Sequence, residues 1–175
     1  MAKIKKIIAR EIIDSRSYPT IEAIVLLEDE SVGTFSVPSG SSIGKNEAVE
    51  LRHGDAARYN GTGVLSCLEK ISKDLAPKII GLDAANQEEI DKLMIDIDGS
   101  SNKKNLGANT ILSLSGAITK AQAASQKQPL YQYVSQLAGQ KTNQFAIPTP
   151  MFNILNGGKH ANMNLDFQAF MMVPR

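Results

Sequence analysis

The sequence is short of cysteine and aromatic residues, and each shortage argues against a class of protein. Its only cysteine, Cys67, has no partner for an internal disulfide, which fits a reducing compartment. Most neighbours of this cysteine are apolar, so we expect the thiol to pack as a small apolar side chain. Tryptophan is absent and aromatic residues make up 5% of the chain, which argues against a surface that stacks nucleic-acid bases.

Net charge and long hydrophobic runs are also lacking. The formal net charge is +1, so no strong field favours nucleic acid or an acidic membrane as a partner. No stretch approaches the roughly 18 consecutive apolar residues of a membrane span. The basic residues near the start are not followed by a long apolar segment or a cleavage site, so they do not form a secretion signal. We therefore expect a cytoplasmic protein with no nucleic-acid or membrane partner.

Three segments in the first part of the chain predict strands. They are 4–13, 20–27 and 34–37. In the second segment Ile21, Ala23 and Val25 recur with a period of two, as in a half-buried strand. The local hydrogen bonding of Asp14 and the fixed φ of Pro19 predict the first turn. Three sequential strands with short turns favour an antiparallel meander.

Apolar residues then recur at helical spacing in four segments. We predict helices over 63–75, 86–97, 106–126 and 129–137. The first is expected to stop before Pro77, and the last begins at a proline and is followed by Gly139. Strands followed by helices indicate the α+β class. Apolar segments on either side of a glycine-rich loop predict two further strands in the last part of the sequence.

Two loops contain residues suited to binding or catalysis. The serine and glycine residues of 37–44 allow the backbone to approach an anion and offer hydroxyl ligands for Mg²⁺, although a plain flexible turn has the same composition. The loop 156–161 places His160 beside two glycines, and a surface histidine is the alternative interpretation. We interpret His53 as a surface residue. Asp166 is the only acidic residue in roughly the last 70 positions, so neither loop has the carboxylate pair of general acid–base catalysis.

Several ordered motifs resemble those of the enolase family. They are Ala9-Arg10 with Asp14-Ser15-Arg16 and Pro19-Thr20-Ile21-Glu22, Val37-Pro38-Ser39-Gly40 with Glu50-Leu51-Arg52, Arg58-Tyr59 with Gly61-Thr62-Gly63-Val64, Asp98-Gly99 with Leu106-Gly107-Ala108-Asn109, Pro129-Leu130-Tyr131, and Asn156-Gly157-Gly158 with His160-Ala161. The motifs follow one another at the family's spacing. The resemblance therefore extends along the whole chain.

The resemblance implies two domains and a reaction. Residues 1–138 would form the family's N-terminal cap domain, a three-stranded antiparallel meander followed by a helical layer. Residues 139–175 would be a linker and the first two strands of an incomplete α/β barrel. The family reaction is the Mg²⁺-dependent dehydration of 2-phospho-D-glycerate to phosphoenolpyruvate in glycolysis, in which the metal offsets charge on the substrate. The implied substrate is a small phosphorylated hydroxy acid, and the implied cofactor is Mg²⁺.

Matching positions imply roles for residues of the first loop. Ser42 corresponds to the serine that binds Mg²⁺ when the loop closes over the site. Ser39, Gly40 and Ser41 form the rest of this lid, and its closure would exclude water.

Four further positions match functional residues of the family. His160 corresponds to the active-site histidine near the substrate, and Gln168 corresponds to an active-site glutamine. Arg10 and Glu22 correspond to residues that form ion pairs across the family's dimer interface.

The chain also departs from the family pattern. Ala169 stands where the family has a catalytic glutamate, and a methyl group cannot exchange a proton; losing a general acid typically costs about 10²–10⁴-fold in rate. Ser17 stands in place of a glycine in the first turn. The catalytic base and the carboxylate ligands of the first Mg²⁺ have no counterpart before the sequence ends at Arg175, so we expect no turnover by this chain alone.

Three roles stay open at this point. The chain could be a piece of a Mg²⁺-dependent enolase, either truncated or one member of a split enzyme that needs a complementary barrel chain. It could be a non-catalytic enolase-like binding module, for which the loss of the acid at Ala169 would be tolerable. It could instead be an assembly module that forms homo-oligomers through the cap domain.

Overall fold

The structure, a computed structural model, describes residues 2–40, 44–140, 144–157 and 166–174. By its internal contacts the chain divides into two compact units, Met1–Lys141 and Thr142–Arg175. In the described ranges, the larger unit contains one three-stranded sheet and the helices, and the smaller unit contains one pair of strands.

The larger unit begins with the antiparallel meander that the sequence predicts. Its strands are β1 (Ile4–Ile13), β2 (Pro19–Leu27) and β3 (Val32–Ser36), hydrogen-bonded in the order β1-β2-β3. The alternation in β2 is confirmed, since Ile21, Ala23 and Val25 are buried while the side chains between them are half-buried. β3 begins two residues earlier than predicted because Val32 still pairs with Leu26.

The turn between β1 and β2 is organised by one carboxylate. Oδ1 of Asp14 accepts hydrogen bonds from the backbone N–H groups of Arg16 and Tyr18, both at 2.8 Å. Ser17 lies inside this turn with a φ of 64°. A residue with a side chain pays about 1–2 kcal/mol for this left-handed conformation, and glycine avoids most of that cost.

We predict that Ser17→Gly raises the free energy of unfolding by about 1 kcal/mol, because it removes the strain at a positive φ. Urea unfolding followed by circular dichroism measures the change. Ser15→Gly is the matched control: its φ is not positive, so the glycine lowers stability by up to about 1 kcal/mol. Equal effects of the two substitutions would contradict the assignment of strain to position 17.

The helices follow the sheet and confirm the α+β class. They are α1 (Leu65–Lys70), α2 (Ala76–Ile79), α3 (Gln87–Asp98), α4 (Ala108–Ser125) and α5 (Leu130–Leu137), with a short 3₁₀ turn at Tyr59–Gly61. Helices α3, α4 and α5 agree with the predicted bounds to within two residues.

The prediction that the first helix stops before Pro77 is wrong. A π-helical turn, Ile71–Leu75, joins α1 directly to α2, and α2 contains the proline in its first turn. The wider turn changes the hydrogen-bond spacing just before the proline. Pro77 therefore occupies a position where its missing N–H is not needed and its fixed φ suits a helix. The helical path continues to Ile79, which is fully buried.

Helix α4 packs against one face of the sheet at a very short distance. A Cβ on Gly33 of β3 would lie 2.1 Å from the backbone oxygen of Ala117 and 2.2 Å from the backbone nitrogen of Ala121. A Cβ on Gly116 of α4 would lie 2.5 Å from the ring of Phe35. Two glycines on facing elements thus bring the helix axis close to the sheet.

The core of the larger unit forms along this contact. Its fully buried large side chains come from the sheet and from the helices: Ile4, Ile21, Val25, Leu27, Val64, Ile71, Leu75, Ile79, Ile90, Met94, Leu114 and Ile118. Cys67 is buried among them, which confirms its predicted packing, and burial raises the pKa of its thiol.

We predict that Gly33→Ala lowers the free energy of unfolding by about 3 kcal/mol, because the new methyl group meets rigid backbone atoms of α4 rather than movable side chains. Denaturant unfolding of the full chain is the measurement. Gly44→Ala is the control, since its nearest neighbour is the flexible carboxylate of Glu47 at 3.1 Å, and the change there should stay within about 0.5 kcal/mol. A mild effect at position 33 would show that α4 can move away from the sheet without loss.

The smaller unit contains the two predicted strands as an antiparallel pair. They are β4 (Phe152–Asn156) and β5 (Ala169–Met172). Many apolar side chains of this unit are exposed: Phe145, Ile147, Met151, Phe152, Ile154, Leu155, Phe167, Phe170, Met171, Met172 and Val173. None of the helices in the described ranges combines the length and apolar character that spanning a bilayer requires.

Candidate functional site

The described part of the first predicted loop is attached firmly to the sheet. The backbone N–H of Val37 donates to the carbonyl oxygen of Ile21 at 2.9 Å. The carbonyl oxygen of Val37 accepts a hydrogen bond from the buried Thr20 hydroxyl at 2.6 Å. The chain therefore enters the loop from a position fixed by β2.

Ser39 is held through both its backbone and its side chain. The Arg16 guanidinium donates to its carbonyl oxygen, and Nη2 of Arg52 lies 3.4 Å from its hydroxyl oxygen. The hydroxyl also bonds the Asp14 carboxylate. Hydrogen bonds from the backbone of Tyr18, then of Arg16, and from Ser39 lower the pKa of Asp14.

Arg52 joins this loop to two other segments. Its Nη1 donates to the carbonyl oxygens of Pro19 at 2.5 Å and Thr62 at 2.9 Å. Its Nη2 contacts Ser39 and the carboxylate of Glu50. A planar guanidinium can reach several acceptors at once, so Arg52 fixes the start of the loop against the beginning of β2. Position 40 is exposed, whereas the predicted lid residues Ser41 and Ser42 lie outside the described residues.

Arg10 and Glu22, predicted at a dimer interface, pair with each other within the chain. They lie directly opposite on β1 and β2, and Nε of Arg10 is 2.7 Å from Oε1 of Glu22. The Ser36 hydroxyl donates to the other carboxylate oxygen at 2.8 Å. Hydrogen bonds from Ser36 and then Arg10 lower the pKa of Glu22. Their role between subunits stays a prediction, and the Arg10 side chain is 63% exposed.

A second ion pair, between Arg58 and Glu11, links the segment that contains His53 to strand β1. Nη2 of Arg58 lies 2.5 Å from Oε1 of Glu11, and Oε2 of Glu11 accepts the backbone N–H of Val64 at 2.8 Å. Burial alone would raise the pKa of Glu11, but the hydrogen bonds from Arg58 and Val64 outweigh it, so the pKa is lowered. His53 is exposed, which confirms its interpretation as a surface residue.

The hairpin of the smaller unit carries the second candidate site. A shallow concavity of about 440 Å³ is lined by Asn153, Asn156, Gln168, Ala169 and Met171. The carbonyl oxygen of Gln168 accepts the backbone N–H of Gly157 at 3.0 Å, which fixes the approach to β5. Ala169, which the resemblance predicts at the position of a catalytic glutamate, lies directly opposite Asn156.

The predicted active-site residues fall partly within this concavity. His160 lies outside the described residues. Gln168 and Ala169 line the concavity together with Asn153 and Asn156, two asparagines to which the sequence analysis gave no functional role. The lining is uncharged, so it can orient a ligand by hydrogen bonds but cannot transfer a proton at neutral pH.

The described residues do not assemble a set of Mg²⁺ ligands. No group of three or more His, Cys, Asp or Glu side chains within these ranges is arranged to hold a metal ion. Mg²⁺ prefers several oxygen ligands in octahedral geometry, usually with at least one carboxylate. Ser42, the predicted ligand, lies outside the described ranges, and one hydroxyl would supply only a single oxygen. The described residues therefore do not fit Mg²⁺ by themselves.

Comparison with protein families agrees with the fold. The model of the enolase N-terminal domain matches residues 4–134, and the model of the enolase C-terminal TIM barrel domain matches residues 144–175. The chain therefore belongs to the enolase family. Membership of this family suggests the use of Mg²⁺ and a phosphorylated small-molecule substrate.

We predict that Arg52→Lys lowers the free energy of unfolding by about 2 kcal/mol, because an ammonium group cannot replace the separate contacts to Pro19, Thr62 and Ser39. Thermal or urea unfolding of the full chain measures this. Arg10→Lys is the matched control: it keeps one exposed ion pair and should change stability by no more than about 0.5 kcal/mol. If both substitutions are equally mild, Arg52 does not secure the loop.

Proposed function

We propose that this chain takes part in the Mg²⁺-dependent dehydration of 2-phospho-D-glycerate to phosphoenolpyruvate, a lyase reaction of glycolysis, in the cytoplasm. One observation carries the proposal: Gln168 lines the concave face of the hairpin. This hairpin lies inside the segment that matches the barrel model. The serine-rich loop, whose start is secured at Ser39, would serve as the lid.

The chain alone is proposed not to turn over substrate. Residues 144–175 contain one carboxylate, Asp166, and this reaction type needs several carboxylates for Mg²⁺ and a base for proton abstraction. Ala169 supplies no proton either. The proposed division into a cap domain, 1–138, and the start of a barrel, 139–175, assigns the missing groups to further barrel strands.

A complementary barrel chain is the proposed partner. A TIM barrel closes with eight strands, whereas the described part of the smaller unit has two. A two-stranded hairpin is at best marginally stable in water, and its exposed apolar side chains match the interior of a larger sheet. Pairing with further strands would cover these side chains and complete the site.

A non-catalytic enolase-like binding or assembly module is the second candidate. Ala169 favours it, because a protein that is not selected for turnover can lose the acid. In this role the cap domain would form a homo-oligomer through the sheet face that carries Arg10 and Glu22. The exposed Arg10 side chain supports this surface, although its partner within the chain is already Glu22.

We predict that the chain with Mg²⁺ and 2-phosphoglycerate produces no phosphoenolpyruvate, while a mixture with a separately produced enolase barrel domain does. Absorbance of phosphoenolpyruvate follows the reaction. Ala169→Glu should raise the rate of the mixture by about 10²–10⁴-fold because it restores a proton donor, whereas the control Ala124→Glu, at an exposed helix position, should not.

The outcomes of this experiment separate the two candidate functions. Turnover by the isolated chain would refute the need for a partner. A stable complex without activity would favour the binding module over the split enzyme. A mixture that is active but unaffected by Ala169→Glu would refute the role assigned to position 169.

A further inference from the structure

The concavity on the hairpin depends on a bulge in β4. Asn153 pairs with Met171 and Asn156 pairs with Ala169, and the register shifts between them because Ile154 has no residue opposite. Residues three apart in a regular strand face opposite sides of a sheet. One extra residue in β4 restores them to the same side. Asn153 and Asn156 therefore face the same concavity, and Ile154 is exposed.

A hydrogen bond between these asparagines fixes which atoms face a ligand. Nδ2 of Asn153 donates to Oδ1 of Asn156 at 2.6 Å. A carboxamide has one acceptor oxygen and one donor nitrogen, so occupying Oδ1 sets the orientation of the whole group. The Nδ2 donors are then the part of the Asn156 amide that can bond a ligand in the concavity, which Gln168 also lines. Ala169, directly opposite Asn156, carries only a methyl group.

We propose that Asn153 is a positioning residue, which acts through Asn156 to present an N–H donor to an acceptor oxygen of the phosphorylated hydroxy acid. The lining is uncharged, so the donor selects an oxygen by direction rather than by charge. This inference rests on the proposed function for the identity of the ligand, but the orientation of the Asn156 amide can be tested without it.

The first test is an NMR measurement on the full chain labelled with ¹⁵N. Asn153→Asp keeps the size of the side chain but replaces the donor with a carboxylate that only accepts. The Asn156 amide should then turn over and donate to the carboxylate, which moves its side-chain NH₂ signals. Lowering the pH to about 3, roughly one unit below the ordinary pKa of aspartic acid, protonates most of the new carboxyl group, restores a donor, and should return these signals toward their wild-type positions.

A purely structural role for Asn153 would not produce this reversal with pH. Asn60→Asp is the matched control, because it introduces the same charge at an exposed position in the other unit and should leave the Asn156 signals in place. Asn153→Ala should also move the signals, but without any reversal at low pH. Unchanged Asn156 signals in Asn153→Asp would overturn the inference.

The second test uses the mixture with a barrel domain. Asn153→Asp should lower kcat/KM by about tenfold, the loss expected when one directed hydrogen bond is removed and reversed, and Asn60→Asp should not. An active mixture that is insensitive to Asn153→Asp would overturn the use of this donor in the reaction. An inactive mixture refutes the proposed function, while the NMR signals still decide the orientation of Asn156.

Discussion

The distance between α4 and the sheet sets the geometry of the larger unit. Gly33 lets the backbone of β3 approach the backbone of α4 directly, and Gly116 leaves space on α4 for the ring of Phe35. The alternating buried side chains of β2 then meet the apolar side of α4 without a gap. Because β2 is fixed in this way, its N-terminal end provides a rigid base for Thr20 and the start of the loop 37–44. Packing in the core and the position of the candidate loop are consequences of the same close contact.

The charged groups around the loop neutralise one another. Arg16 and Arg52 face the carboxylates of Asp14 and Glu50 as well as Ser39. Two guanidinium groups without carboxylate partners would attract anions to this loop. Paired as they are, they act as cross-links between chain segments, and their contribution is to the position of Ser39.

The sequence predicted the elements of the fold well where periodicity was strong. The period-two pattern of Ile21, Ala23 and Val25 and the long apolar stripe of α4 both reflect burial against one face. Pro77 misled the prediction because a π turn before it, which has no local sequence signal, allows a proline to begin a new helical segment. The local rule for proline was overridden by the continuation of the buried face to Ile79.

The candidate site was less predictable than the fold. Arg52 is distant in sequence from Pro19 and Ser39, so its contacts depend on tertiary structure. Asn153 and Asn156 have a spacing that implies opposite faces of a strand, and only the bulge brings them together. Serine and glycine composition drew attention to the loop 37–44 and motif resemblance to Gln168, because both signals are local, and their functional roles stay predictions.

The solitary thiol of the larger unit has a practical consequence. Cys67 is buried, its Sγ lies 3.4 Å from the carbonyl oxygen of Leu51, and burial raises its pKa. Thiol reagents attack the thiolate, so modification must wait until the surrounding segments separate. The rate at which such a reagent labels Cys67 therefore measures the transient opening of this core. No engineered probe is needed, because the sequence contains no other thiol.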